Sequence, residues 1–82
     1  MIGPAPARGA APVVAEELAA AVERAVAALP PRCREVFTLS RSAGLSYAEI
    51  AARLGISVKT VEAQMGRALK ALRADLAPWL ER

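Results

Sequence analysis

The 82-residue sequence contains no histidine and a single cysteine, Cys33. Without histidine, imidazole catalysis and the usual zinc sites are excluded, and one cysteine forms neither an intrachain disulfide nor a metal cluster. Cys33 is therefore expected to act as a small, partly buried hydrophobe. Paired carboxylates and a glycine-rich phosphate loop are also missing, so nothing points to an enzyme, a catalytic residue or a bound cofactor. No alternating run rich in β-branched residues is present, which leaves no strand to predict. No repeat of solenoid length occurs. The N-terminus lacks the basic start and apolar stretch of a secretion signal, and no segment is apolar enough to span a bilayer. These absences predict a cytoplasmic protein with no membrane partner.

What is present is helical. Hydrophobic residues make up 55% of the chain, but many are alanine, which favours helix and buries little area. One small domain fits this length. Residues 1–13, rich in proline and alanine, read as a flexible linker, and residues 14–82 as the domain. A first helix is expected from Val14 to Leu29, with Leu18, Val22, Val26 and Leu29 as its apolar stripe. Pro30-Pro31 ends it, and Pro31 can open a second helix that runs to Ser42 with Val36, Phe37 and Leu39 as its large apolar residues. Trp79 and Leu80, past Pro78, either fold back on the core or form an exposed tip.

Between these segments lie two helix starts of one kind. Ser46-Tyr47-Ala48-Glu49 has the form of a capping box, in which serine and glutamate satisfy backbone donors reciprocally. That helix runs through Ile50 and Leu54 to Gly55, where a left-handed residue can end it. Ser57 then caps a fourth helix, expected from Val58 to Leu76. Two helices joined by a short glycine-centred turn form a helix-turn-helix, whose second helix can enter a DNA major groove. The expected fold is all-α: a small four-helix domain with a C-terminal helix-turn-helix.

At about 100° per residue, Val58, Val61, Met65, Ala68, Leu69, Leu72 and Leu76 share the core side of the fourth helix. Val61, Met65, Leu69 and Leu72 are expected to pack on Ile50, Leu54, Val36 and Phe37. The opposite side carries Lys59, Thr60, Ala63, Arg67, Lys70 and Ala74, flanked by Gln64 and Glu62. Small residues let a helix approach base edges, and arginine and glutamine are side chains that read guanine and adenine. The net charge of +3 and pI near 9.8 permit a nucleic-acid partner. The candidate DNA-binding residues are Ser46, Tyr47, Ser57, Lys59, Thr60, Ala63, Gln64, Arg67 and Lys70. Ser46 and Tyr47 stand at a helix N-terminus, where free N–H groups attract phosphate. The Tyr47 hydroxyl can join that contact, or the ring can pack against the fourth helix. Glu62 can accept from a cytosine amino group or pair with Lys59.

The stretch from Leu29 to about Leu76 resembles region 4 of the extracytoplasmic-function sigma factors, small relatives of bacterial sigma-70. The pattern is Leu29-Pro30 before Arg32, Glu35, Val36 and Phe37; then Gly44-Leu45-Ser46-Tyr47 with Glu49-Ile50-Ala51; then Leu54-Gly55-Ile56-Ser57-Val58 with Thr60-Val61. Lys59-Thr60-Val61-Glu62 and Ala68-Leu69 resemble the branch associated with outer-membrane signalling. The resemblance implies a winged-helix-like, sigma region 4 type of fold. It implies binding to the promoter −35 element through the last helix and to the β-flap tip of core RNA polymerase through a groove between the first helices. It also implies an anti-sigma factor as a further partner. Lys59, Thr60, Ala63, Gln64 and Arg67 would face DNA. Many members carry basic residues or serine where this chain has Glu62, Ala63 and Gln64, so the resemblance does not fix the −35 sequence. Region 2, which melts promoters, has no counterpart before Val14, so a chain of this kind is expected to bind DNA and polymerase without opening a promoter. Two alternatives stay open. LuxR-type response-regulator domains share Gly-Leu-Ser and Thr-Val features, and a protein-interaction module could bind an anti-sigma factor or polymerase without reading DNA.

Overall fold

The computed structural model describes residues 11–80, with side chains from residue 15 onward. Its helices are α1 (Ala11–Ala27), α2 (Pro31–Arg41), α3 (Tyr47–Leu54), α4 (Val58–Asp75) and α5 (Ala77–Leu80). No strand occurs among the described residues, so the all-α expectation holds. The four expected helices are present, and the segment after α4 coils into a further one-turn helix, α5. Pro78 falls within its first turn, where a missing N–H breaks no intrahelical bond.

α1 begins at Ala11, so residues 11–13, expected in the linker, are helical. The remainder of that linker, residues 1–10, lies outside the described residues. α1 ends at Ala27 rather than Leu29. There the Arg34 guanidinium donates to the Ala27 carbonyl at 3.0 Å and satisfies an acceptor that the helix end leaves open. Pro30 is extended (ψ 149°), as a residue before proline prefers, and Pro31 opens α2. α2 ends one residue before Ser42, whose N–H donates to the Thr38 carbonyl at 2.8 Å. Gly44 (φ +70°) then reverses the chain toward α3.

Two hydrophobic clusters form the core, and α4 belongs to both. Its N-terminal half contributes Val61 and Met65 to a cluster with Val36, Ile50 and Ala51. Its C-terminal half contributes Ala68 and Leu72 to a cluster with Ala25, Leu29 and Cys33. Val61, Met65, Leu72, Val36 and Ile50 are buried as expected, while Leu69, Leu54 and Phe37 are half-buried at the edges. Val58 does not join the core. It is 41% exposed, because the first residue of α4 extends beyond the helices that cover the rest of the stripe.

The stripe on α1 is also corrected. The residues that face the core are Ala21, Ala25 and Leu29; Val22 and Val26 are half-buried, and Leu18 is exposed. Small side chains let helix axes come close, so an alanine face can win the contact over a bulkier one. Trp79 is half-buried and shares a crevice with Ala21 and Ala25 of α1, whereas Leu80 is 66% exposed. The chain thus folds back at Trp79 and leaves Leu80 outside.

Candidate nucleic-acid interface

The start of α3 and the turn between α3 and α4 are built from local hydrogen bonds. The Ser46 hydroxyl accepts from the Glu49 N–H at 3.1 Å, and the Glu49 carboxylate accepts from the Ser46 N–H at 2.8 Å. The predicted capping box is therefore complete. Gly55 closes α3 at φ +69°, ψ 34°, a left-handed conformation that other residues adopt at a cost. Ile56 donates its N–H to the Ala51 carbonyl at 3.0 Å and packs against the cluster beneath, which pins the turn to the core. Ser57 then caps α4: its hydroxyl accepts from the Thr60 N–H at 3.0 Å and lies 2.9 Å from the Thr60 hydroxyl. The direction in which α4 leaves the turn is thus set by bonds within a few residues of sequence.

Buried Val61, Met65, Ala68 and Leu72 fix the rotation of α4 about its axis. Lys59, Thr60, Ala63, Arg67 and Lys70 are all exposed, together with Glu62, Gly66 and Arg73. Among the described residues the ion pair formed is Arg32–Glu35 at 3.0 Å on α2. Among the described residues Lys59, Arg67, Lys70 and Arg73 form no ion pair, and Glu62 does not pair with Lys59. Unpaired cations on one helix face attract phosphate over a range set by salt.

Three candidates differ from the rest. Gln64 is half-buried, and the Cys33 thiol on α2 donates to its side-chain carbonyl oxygen at 2.9 Å. Reading adenine takes both ends of a glutamine amide, one as acceptor and one as donor. The bond to Cys33 ties α4 to α2 at Gln64 and takes up one of the two lone pairs of its carbonyl oxygen. Tyr47 is half-buried and packs against the cluster of Val36, Ile50 and Val61. Ser46 is exposed at the front of α3, but its hydroxyl already accepts the Glu49 N–H. Gly66, which the sequence reading passed over, lies in the middle of the exposed face. A glycine inside a helix is the signal that could have marked it.

A second surface lies between α1 and α2. Val22, Glu23, Val26, Ala27, Arg34, Phe37, Thr38 and Ser42 line an open groove of about 430 Å³ with a largely apolar floor. The Arg41 guanidinium stands 5.8 Å from the centre of the Phe37 ring, at cation–π range. Half-buried Val22 and Val26 of α1 form one wall of the groove. Among the described residues no group of three or more metal-ligating side chains gathers. No helix there is long and apolar enough to cross a membrane.

A family model for sigma-70, region 4, matches residues 19–72, which run from within α1 through α2 and α3 to Leu72 of α4. The match covers well over half of the chain, and the protein belongs to the sigma-70 region 4 family of sigma-factor DNA-binding domains.

Proposed function

We propose that the domain recognises a promoter −35 element through the exposed face of α4 and docks on the β-flap tip of core RNA polymerase through the groove between α1 and α2. It would act in the cytoplasm, in a sigma factor of the extracytoplasmic-function branch, with an anti-sigma factor masking one or both surfaces. The carrying observation is the rotation of α4: its apolar side is sealed in both core clusters, which leaves Lys59, Thr60, Ala63, Arg67 and Lys70 outward. Lys59, Thr60 and Ala63 occupy the part of the helix nearest the turn, the end that meets base edges in helix-turn-helix proteins. Lys70 and Arg73, farther along, suit phosphates. Ser57 serves this surface indirectly, as the cap that starts α4.

The groove supports the second contact. Its apolar walls and open form fit an amphipathic helix laid between α1 and α2. Glu23 and Arg34 at its margin offer one charge of each sign for registering such a segment.

Titration against a library of −35-like duplexes at two salt concentrations tests the DNA contact. Lys70→Ala is expected to weaken all duplexes alike and to reduce the salt slope by about one, as loss of one phosphate contact does. Arg67→Ala, as a base reader, is expected to lose roughly 1–3 kcal/mol and to relax preference at one position. If neither change alters binding at either salt, the outer face of α4 is not the DNA surface and the interaction-module alternative takes its place. A flap-tip peptide retained by the parent protein and lost in Phe37→Ala would support the groove.

A further inference from the structure

Gln64 marks the place where the flank of α4 meets α2. The Cys33 thiol, 3% exposed, donates to the Gln64 side-chain carbonyl oxygen at 2.9 Å. Among the described residues the Gln64 amide nitrogen has no hydrogen-bond partner. No buried side-chain nitrogen or oxygen there goes unpartnered, so that nitrogen reaches solvent. The oxygen and nitrogen of an amide share one carbon and one plane. Holding the oxygen against α2 therefore turns the nitrogen away from α2. On the helix surface Gln64 lies between Thr60, one turn before, and Arg67, one turn after, both exposed. The free NH2 group thus stands at the edge of the outer face of α4, between a hydroxyl and a guanidinium.

We infer that Cys33 is a positioning residue for DNA binding, which holds Gln64 so that its amide N–H groups are presented to a phosphate oxygen. The inference rests on the reading of α4 as the DNA helix. A helix with its side chains is about 10–12 Å across, and the major groove is about 12 Å wide. A helix seated there turns its outer face to the base edges and brings its flanks against the phosphate walls. Gln64 is a flank residue: buried Met65 and Val61 lie to one side of it and exposed Ala63 to the other. A phosphate oxygen only accepts and an amide NH2 only donates, so the two are complementary. The amide is uncharged, and contact through it releases no counterion, unlike contact through Lys70. Already held by Cys33, the side chain loses less freedom when the phosphate arrives.

The experiment uses a duplex selected from a random library by the unaltered chain, and its single-base variants. Affinity is measured at two salt concentrations for the parent, Gln64→Met, Cys33→Ala, Cys33→Ser and the pair Cys33→Ala with Gln64→Met. Thermal unfolding run in parallel confirms that each protein is folded at the assay temperature. Gln64→Met keeps the bulk of the side chain without the amide. It is expected to bind every duplex about tenfold more weakly, the loss of one hydrogen bond to a charged group, with the salt slope unchanged. Cys33→Ala is expected to weaken binding roughly two- to tenfold, because the freed side chain must now be ordered by the DNA. Cys33→Ser keeps a donor and is expected to bind as the parent does. In the Gln64→Met background Cys33→Ala should cost nothing further, which a merely structural cysteine would not produce. The inference is overturned if Cys33→Ala binds as tightly as the parent, or if its loss persists undiminished beside Gln64→Met. It is also overturned if Gln64→Met alters preference at one base position, which makes Gln64 a base reader. Should the parent itself bind no duplex in a salt-dependent way, the assignment of α4 to DNA fails, and this inference fails with it.

Discussion

The two core clusters are made of different material. The one under the helix-turn-helix centres on Val36, Ile50 and Val61, large side chains with no residual exposure. The one that attaches α1 relies on Ala25, Cys33 and Ala68, with Leu29 and Leu72 as its large members. Burying a large aliphatic side chain stabilises by about 1.5–3 kcal/mol, and an alanine methyl by a fraction of that. The half that presents α4 is therefore held more firmly than the half that holds α1. This division suits the two surfaces. A helix that reads base edges needs its side chains fixed closely. A groove that accepts a helical segment gains from a wall that can adjust. Local stability in small domains varies in this way, and mobile elements come from the weakly packed end.

The strongest way to break the comparison is to remove side chains from each cluster. Ile50→Ala is expected to cost about 2–5 kcal/mol, a large share of the stability of a small domain, measured by denaturant unfolding. Leu29→Ala should fall toward the lower end of the same range, because the alanine-rich surroundings can close on the vacancy. If Leu29→Ala proves the more damaging of the two, α1 is the firmer attachment and the comparison is inverted. Hydrogen exchange sharpens the same point: amides of α1 should exchange through openings of lower free energy than those of Val61 to Met65. Ser46→Ala removes one half of the capping box and is expected to cost about 0.5–2 kcal/mol. That loss should appear in α3 protection more than in α1 protection. The smallest effect is expected at Val58. Val58→Thr on the exposed front of α4 should change stability by no more than about 0.5 kcal/mol, where a core position would lose far more.

The parts of this fold that were legible in the sequence are the ones decided locally. Ser46 with Glu49, Gly55, and Ser57 each act on backbone groups within four residues, so their chemistry can be read along the chain. The rotation of α4 was legible too, since its large apolar residues mark a single side. α1 was misread because the reading weighted size. Leu18 and Val22 look like part of the core stripe with Val26 and Leu29, yet the neighbouring alanines Ala21 and Ala25 win the contact there, and only the positions of the partner helices decide that. Val58 obeys the helical period but lies past the end of its cover, which a helical wheel does not represent. Gln64 shows the same limit within the candidate site. Its place on the flank of α4 was visible, but its bond to Cys33 joins residues far apart in sequence.

Cys33 is 3% exposed, and it is the single thiol in the sequence. Alkylating reagents attack the thiolate, which must first reach solvent. In the native protein that happens only when α1 or α4 lifts from α2, so the rate of labelling measures how often the seal opens. The molecule thus carries its own stopwatch. A ligand that clamps α1 against α2 would slow it, one that pries them apart would speed it, and either could be timed by mass in an unmodified protein.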